Sequence, residues 1–316
     1  MKLRGIEFGN VLDASGVQGF FDEGYWFHKP LKAIGLLSFE GVTFVAKTVN
    51  LLGNKGNLPL NSDSSPKPWF PKCIIAKPFQ GKMLNAVGLS NFGLGYYLGD
   101  GRWQDRVEPF WISIMSLAST PEKRLAEFKI MAEMLLLYKD SFSSSFGIQV
   151  NLSCPNIKHK PSQLMAEAEK ILDILHLVGV PLMLKYSIAS APIPAVMELN
   201  DHPYCDAICV SNTLPFGWEG INWKKVWGSD KSPLAHLGGG GLSGRALCPL
   251  VCNYISLLRE GDFTKPINGG GGIFEPRDVD KYHRAGASSI FVGSVTTLSP
   301  WQVQAIVTTA NKLEWR

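Results

Sequence analysis

Hydrophobic and β-branched residues recur along the chain in short runs. The runs begin near residues 10, 43, 110, 147, 181, 206, 265 and 288, and most precede a segment with apolar residues at helical spacing. Strands that alternate with helices pair in parallel, because each helix returns the chain to the start of the next strand. Eight such units predict an α/β fold, a (β/α)8 TIM barrel; a doubly wound open sheet is the alternative.

Helix signals support this division of the chain. Thr120 and Pro121 have the order of an N-cap and a first helical residue. Apolar residues follow at helical spacing and predict a buried stripe: Leu125, Phe128, Met131, Ala132 and Leu135. Further helices are predicted over 31–37, 164–175, 246–258 and 275–285. Residues 49–82 are rich in Gly, Pro, Ser and Asn and predict a long loop inserted into one domain of residues 1–316, with a hairpin near 73–76.

One predicted strand stops on a cluster of reactive groups. Residues 148–152 are strand-like, and Asn151, Cys154 and Asn156 gather at the C-terminal end, where ligands bind in parallel α/β proteins. Carboxamides offer the donors and acceptors that hold a flat ring with imide edges, and a thiol with a lowered pKa accepts a proton. A tight turn with an Asn N-cap and an inert buried Cys is the structural alternative.

Other predicted strands end on groups that suit an anion. Lys47 and Lys185 each follow a buried run, although a lysine at a strand end is also often solvated. Glycine loops at 270–272 and 293–294 follow the seventh and eighth strands, which is the common phosphate site of barrels. The first unit lacks Gly-x-Gly-x-x-Gly and the chain lacks a P-loop, so a Rossmann or P-loop nucleotide fold is not expected.

Composition excludes several classes of function. A net charge of +4 without a Lys/Arg run is too mild for nucleic acid but suits an anionic small ligand. The six cysteines form no Cys-x-x-Cys pair, and we expect five of them to be reduced residues of a cytoplasmic protein. The N-terminus is charged rather than signal-like, and no apolar run reaches the ~20 residues of a membrane span.

The motifs, taken in order, resemble the dihydroorotate dehydrogenase family over about residues 9–300. The resemblance rests on Ala14-Ser15-Gly16, Ala46-Lys47-Thr48, residues 84–89, residues 151–156, Leu184-Lys185, Ser211-Asn212-Thr213, residues 240–244, residues 269–273 and Val292-Gly293-Ser294. Cys154 stands where the soluble class 1 members carry their catalytic base, whereas the membrane-bound class 2 has Ser. The first barrel strand also begins too early for the helical extension of class 2.

The resemblance implies an FMN cofactor and oxidation of (S)-dihydroorotate to orotate in pyrimidine biosynthesis. Cys154 would remove the proton from C5 while hydride leaves C6 for the flavin. The implied substrate-binding residues are Lys47, Asn85, Gly88, Leu89, Asn151, Asn156, Asn212 and Thr213. The implied cofactor-binding residues are Ala14, Ser15, Gly16, Lys47, Thr48, Asn151, Lys185, Ser211, Gly244, Gly271, Gly272, Gly293 and Ser294. No metal is expected.

The resemblance leaves the electron acceptor open. Class 1 includes homodimers that use fumarate and assemblies with an iron–sulfur flavoprotein subunit that reduces NAD. We expect a homodimer, and residues 83–88 and 240–244 look more like the NAD-linked group. The chain has no cysteine cluster, so an iron–sulfur centre would belong to a second, FAD-containing electron-transfer subunit. Residues 56–60 lack the family's usual Arg, and residues 157–163 lack its usual glycines.

Two other functions fit parts of the sequence. A related flavin barrel acting on another dihydropyrimidine would use the same carboxamides, but Lys47 and residues 85–89 matter most when the substrate has a carboxylate. A barrel that binds a phosphorylated ligand without redox chemistry would need only the glycine loops, and would leave Cys154 and the strand-end lysines unexplained.

Overall fold

The computed structural model describes residues 1–152 and 167–316. The strands in this part of the chain are β1 Lys2–Leu3, β2 Ile6–Glu7, β3 Val11–Asp13, β4 Ile74–Lys77, β5 Lys82–Asn85, β6 Phe110–Ile114, β7 Phe146–Asn151, β8 Leu182–Tyr186, β9 Ala207–Val210, β10 Leu214–Pro215, β11 Gly241–Gly244, β12 Ile267–Gly270 and β13 Ser289–Val292. The α-helices are α1 His28–Ala33, α2 Leu94–Asp100, α3 Pro121–Tyr138, α4 Ala168–Leu175, α5 Ile193–Met197, α6 Trp223–Val226, α7 Leu247–Glu260, α8 Pro276–Arg284, α9 Val295–Leu298 and α10 Val303–Ala310. Short 3-10 turns occur at Pro78–Gln80, Lys139–Ser141, His176–Val178, Glu198–Asp201, Ala235–Leu237 and Pro300–Gln302.

Seven parallel strands form the main sheet, in the order β3-β13-β12-β9-β8-β7-β6. The extended segment 43–49 lies between the two edge strands and bridges both of them in parallel, Thr43 to Leu12 of β3 and Val45 to Trp111 of β6. The eight predicted strands are therefore all present, and the segment joins the two edges of the sheet. The predicted TIM-barrel fold is confirmed, and the open-sheet alternative is excluded because an open sheet keeps two free edges.

Alternation along the strands separates two cores. Leu12, Val45, Trp111 and Met183 belong to one buried cluster, which also contains Phe8 from the N-terminal segment. Their neighbours in sequence, such as Val11, Ile112 and Leu184, belong to the larger cluster that includes the helices. This is the arrangement that a barrel with filled interior and an outer ring of helices requires, because successive strand residues face opposite sides.

The helices begin and end largely where the sequence predicts. Thr120 Oγ1 accepts a hydrogen bond from Lys123 N at 3.4 Å, and Pro121 is the first residue of α3. The stripe of α3 is buried at Phe128, Met131 and Leu135. The helix predicted over 31–37 is displaced toward the N-terminus, because Gly35 has a φ of +72° and cannot continue a right-handed helix.

A second, antiparallel sheet covers part of the barrel, with the order β10-β11-β5-β4. Its β4–β5 hairpin confirms the hairpin predicted near 73–76, shifted by a few residues along the chain. The pairing of β11 with β5 was not predicted, because Gly241–Gly244 has no β-branched residue and its partner lies far away in sequence. This pairing sets Asn85 opposite Gly241 and Met83 opposite Ser243.

Candidate active site

A cavity of about 590 Å³ lies at the C-terminal ends of the barrel strands. It gathers most of the site residues predicted from the sequence: Ala14, Ser15, Gly16, Lys47, Thr48, Asn85, Gly88, Leu89, Asn151, Lys185, Ser211, Asn212, Thr213, Gly271, Gly272, Gly293 and Ser294. Gly244 is outside the cavity wall, and Cys154 and Asn156 lie outside the described residues. A volume of this size is typical of a small-molecule or cofactor site.

The carboxamides Asn151 and Asn212 of the cavity wall are held by a hydrogen-bond network. Asn212 Nδ2 donates to Asn151 Oδ1 at 3.1 Å, and Asn151 Nδ2 donates to Thr48 Oγ1 at 3.3 Å. The backbone N–H of Thr213 donates to Asn212 Oδ1 at 2.9 Å. Thr48 Oγ1 also lies 3.0 Å from Ser15 Oγ. A buried network of this kind restricts the rotamers of its members, so the amide groups have fixed directions.

The backbone of residues 86–89 forms a second wall. Asn57 Nδ2 donates to Ala86 O at 2.8 Å, and Asn54 Nδ2 donates to Gly88 O at 2.6 Å. These carbonyls are therefore occupied, whereas the N–H groups of Gly88 and Leu89 donate to no acceptor among the described residues. Free backbone N–H groups beside a cavity suit an anion such as a carboxylate. Asn54 and Asn57 of the long loop thus support the wall of the site.

Lys47 and Lys185 are the charged residues among those that line the cavity in the described structure. Lys47 Nζ donates to Ser90 O and lies 4.7 Å from the centre of the Phe20 ring. Lys185, on β8, is buried, with only 6% of its surface exposed. A cavity whose described lining has two cations and no acidic side chain favours an anionic ligand, because charges of one sign along the wall attract the opposite charge.

The glycine loops after β12 and β13 form a further part of the cavity wall. Gly271 and Gly272 have φ values of +121° and +78°, which other residues adopt rarely. A Cβ on Gly272 would lie 2.7 Å from Gly244 O and 2.8 Å from Cys248 N, at the start of α7. Gly244 therefore packs behind Gly272. Backbone approaches this close expose main-chain N–H groups and fit a phosphate, as do the N-terminal N–H groups of α7.

Aromatic residues that the sequence argument did not select form the mouth of the cavity. Tyr25, Trp26 and Phe27 line it together with Trp69 and Phe70 of the long loop. Trp26 and Trp69 stack with ring centres 5.2 Å apart, and Trp26 Nε1 donates to Trp69 O at 2.7 Å. The run Pro-Trp-Phe-Pro inside a polar loop was the available signal, because large apolar residues in such a loop need a partner surface.

Asp13, another residue that sequence reasoning missed, ends β3 immediately before the cavity residues 14–16. Its carboxylate accepts hydrogen bonds from Val45 N at 2.6 Å and from Gln18 Nε2 at 3.0 Å. Burial raises the pKa of this carboxyl to about 8, although both hydrogen bonds act in the opposite direction. The Asp13 side chain thus holds the segment that closes the barrel, at a site where its charge is unfavourable.

The described residues contain no cluster of three His, Cys, Asp or Glu side chains that would hold a metal ion. The cysteines outside residues 153–166 are free thiols. In the same part of the chain, no helix combines the length and the apolar character that crossing a bilayer demands.

The fold and the cavity define a class of protein: an α/β barrel with a cavity at its strand ends that is lined by carboxamides, lysines and glycines. A family model described as dihydroorotate dehydrogenase matches residues 64–313. The chain belongs to the dihydroorotate dehydrogenase family, whose members are flavin-dependent oxidoreductases.

Curated relatives and solved structures agree with this assignment. The chain is 26% identical over 313 residues to the dihydroorotate dehydrogenase B (NAD(+)) catalytic subunit of Geotalea daltonii, covering 97% of this chain and 90% of that protein. It is 28% identical over 317 residues to the same subunit of Pelobacter propionicus, with coverage of 97% and 90%. The crystal structure of DHODH from Eimeria tenella in complex with ferulenol superposes with a TM-score of 0.70 at 18% identity, covering 98% of this chain and 82% of that one, which supports the fold alone.

Proposed function

We propose that this chain oxidises (S)-dihydroorotate to orotate with FMN as its cofactor. The observation that carries the proposal is that one cavity gathers two sets of groups. Carboxamides, free backbone N–H groups and Lys47 form the first set, and the glycines after β12 and β13, which suit a phosphate, form the second. A ring with imide edges and a carboxylate matches the first set, and a phosphorylated flavin matches the second.

The residues present fit FMN. Gly271, Gly272, Gly293 and Ser294 line the cavity, and glycines have no side chain to cover the main chain, so N–H groups of these loops would contact a phosphate. Ala14, Ser15, Gly16, Thr48 and Ser211 would contact the rest of the cofactor, and Lys185 would stabilise the negative charge of its reduced form. When bound, FMN supplies the acceptor for the hydride.

The carboxamides, the backbone N–H groups and Lys47 provide a group for each part of dihydroorotate. Lys47 and the N–H groups of Gly88 and Leu89 would bind the carboxylate. Asn85, Asn151, Asn212 and Thr213 would bind the ring, and Asn156 is proposed from the sequence alone. Because Asn151 and Asn212 are held by their neighbours, they would bind the ring without first losing side-chain freedom.

Cys154 is the proposed base, on the strength of its place in the sequence three residues after Asn151. Its thiolate would take the proton from C5 as the hydride leaves C6, so the substrate loses two hydrogens and gains a double bond. The proton remains on the thiol and the electron pair leaves with the hydride. Water must be excluded from the cavity around the substrate during this step, and the aromatic mouth provides apolar surface for that purpose.

For reoxidation we propose transfer of electrons to NAD through a second subunit. Support comes from the relatives in Geotalea daltonii and Pelobacter propionicus, which are named as NAD(+)-dependent catalytic subunits. The partner would carry the iron–sulfur group, because the sequence has no cysteine cluster to hold one, and also the FAD that the family resemblance implies. A homodimer that uses fumarate is the other arrangement within the same class.

An anaerobic titration tests the proposal. We expect the purified protein to be yellow and L-dihydroorotate to bleach its flavin band, whereas dihydrouracil should not, because it has no carboxylate for Lys47. Bleaching by dihydrouracil alone would move the function to another dihydropyrimidine. Protein that takes up no FMN would favour a barrel without redox chemistry. Adding fumarate, NAD, or NAD with a candidate partner to the bleached protein then identifies the acceptor by return of the flavin band.

A further inference from the structure

A chain of buried polar side chains extends below the cavity into the barrel. Ser113 Oγ lies 3.3 Å from the side-chain oxygen position of Gln149, two residues before Asn151 on β7. Ser113 Oγ also lies 2.9 Å from Thr48 Oγ1, the atom that accepts from Asn151 Nδ2. Ser113 and Gln149 do not line the cavity, and they are 0% and 2% exposed. Polar groups buried at this depth normally form hydrogen bonds with other groups of the protein, because bulk water does not reach them.

The protons available to this network can be counted. Ser15, Thr48 and Ser113 carry one hydroxyl proton each. Four contacts involve these hydroxyl groups, and each contact needs one proton. They are Ser15 Oγ to Ala46 O at 2.9 Å, and the pairs Ser15–Thr48, Thr48–Ser113 and Ser113–Gln149. Asn151 supplies its own proton to Thr48. Three hydroxyl protons cannot satisfy four contacts, so the fourth must come from the amide of Gln149.

We infer that Gln149 turns its amide nitrogen toward Ser113 and thereby sets the direction of the whole network. A half-turn of the amide exchanges its O and N positions, which have nearly the same shape. Among the described residues Nε2 of Gln149 makes no other hydrogen bond that this turn would break. The protons then run from Gln149 to Ser113, to Thr48, to Ser15 and to Ala46 O. Thr48 donates once and accepts twice, which is the full capacity of a hydroxyl.

This direction orients the carboxamides of the cavity. Thr48 gives its proton to Ser15 and presents a lone pair to Asn151 Nδ2. Asn151 Oδ1 then accepts from Asn212 Nδ2, and Asn212 Oδ1 accepts from Thr213 N. Ser113 and Gln149 are therefore positioning residues for the two amides, and their effect on ring binding rests on the proposed function.

Neutron diffraction on deuterium-exchanged crystals of the whole protein tests the inference directly. We expect two deuterons on the Gln149 atom nearest Ser113, and the Ser113 deuteron on the line to Thr48. An oxygen of Gln149 facing Ser113 would overturn the inference. This result does not depend on which reaction the protein catalyses.

Orotate binding to the FMN-loaded protein provides a second test. The orotate Kd of each variant is divided by the Kd of wild type at the same pH. Gln149→Leu removes the donor, and we expect the orotate Kd to rise about tenfold. Gln149→Glu can donate only while protonated. Its ratio should be near one at low pH and rise about tenfold as pH increases. The ionisable groups on the two strands that pair with β7 are Lys185 and Tyr186, and Asp13, Lys47 and Cys209 stand on other strands of the barrel. The ratio to wild type removes the titration of these groups.

Asn268 supplies the matched control. It is a buried carboxamide on β12 that donates to Ser289 Oγ at 2.8 Å and is separate from the Thr48 network. Asn268→Asp makes the same chemical change and should leave the orotate ratio near one. The role of Gln149 would be overturned if the Kd ratio of Gln149→Glu does not change with pH, whatever its value, or if Gln149→Leu binds orotate as wild type does. Failure of wild-type protein to bind orotate would instead count against the proposed function, and the neutron result would still decide the network.

Discussion

At the scale of single residues, Asp13 shows how a polar side chain can replace a strand hydrogen bond. The segment 43–49 pairs with β3 through Thr43, but the next N–H, of Val45, donates to the Asp13 side chain. The carboxyl group is buried and its pKa is raised to about 8 by loss of water. The protein therefore gains a connection at the barrel seam and accepts an unfavourable charge there at high pH.

We predict that Asp13→Asn removes a pH dependence of stability. Between about pH 4 and about pH 8 the folded protein holds a proton on Asp13 that the unfolded chain releases, so wild-type stability falls as pH rises through this window. The slope contributed is at most about 1.4 kcal/mol per pH unit. Asn cannot ionise and keeps an acceptor for Val45 N, so urea unfolding should show a flatter profile. Exposed Asp140→Asn is the control; an unchanged slope in Asp13→Asn would show that the group is not titrating.

Cys154 supports a prediction of a different kind. Cys154→Ser keeps the approximate size of the side chain but replaces the thiol by a hydroxyl, whose pKa lies far above neutral pH. We therefore expect flavin reduction by dihydroorotate to slow by at least about 100-fold near neutral pH. FMN content should be unchanged. Stopped-flow absorbance under anaerobic conditions measures the rate, with buried Cys209→Ser as the control. Wild-type reduction rates in Cys154→Ser would remove Cys154 from the mechanism.

The placement of candidate site residues around one cavity was predictable where these residues stand at strand ends. Lys47, Asn151, Lys185 and Asn212 were selected because each follows an apolar run, and the cavity does gather them. Trp69 was missed although the run Pro-Trp-Phe-Pro signals a buried contact, because that run does not identify the partner Trp26, 43 residues away in sequence. Asp13 was missed for a related reason, since its partner Val45 belongs to the next barrel segment.

At the scale of elements, the glycine loop after β12 offers a matched pair of substitutions. Gly272→Ala and Gly238→Ala both place a Cβ at positive φ, +78° and +90°, and each should cost roughly 1–2 kcal/mol in backbone strain. Only at Gly272 would the Cβ also meet Gly244 O at 2.7 Å; at Gly238 nothing lies within 4 Å. We therefore predict at least about tenfold weaker FMN binding for Gly272→Ala, measured by quenching of FMN fluorescence, and little change for Gly238→Ala. Equal FMN affinities in the two variants would contradict this.

The elements themselves divide by the range of the interactions that form them. Helices such as α3 and α8 were predictable, because caps and first-turn prolines act within a few residues. The strand β11 was not, since Gly241–Gly244 is extended only by pairing with β5 and β10. The antiparallel sheet that presents Asn85 to the cavity thus depends on contacts between distant parts of the chain.

At the scale of the whole molecule, the long loop and the segment after β3 meet to shape the cavity mouth. Trp26 and Trp69 are 43% and 68% exposed although both line the cavity, so a ligand that fills the cavity must change their contact with solvent. The division between polar interior and aromatic mouth follows from the barrel, whose strand ends are polar while the inserted loop supplies the apolar rim.

This arrangement predicts an optical signal for cofactor binding. FMN loading should lower the acrylamide quenching of tryptophan fluorescence, because Trp26 and Trp69 lose exposed surface as the cavity fills. The double substitution Trp26→Phe and Trp69→Phe should abolish most of the FMN-dependent change while keeping the aromatic contacts. Trp301 is 58% exposed and does not line the cavity, so Trp301→Phe should leave the change intact. If the signal is instead lost only in Trp301→Phe, the bound cofactor lies away from this mouth. That outcome would contradict the assignment of FMN to this cavity, on which the proposed function rests.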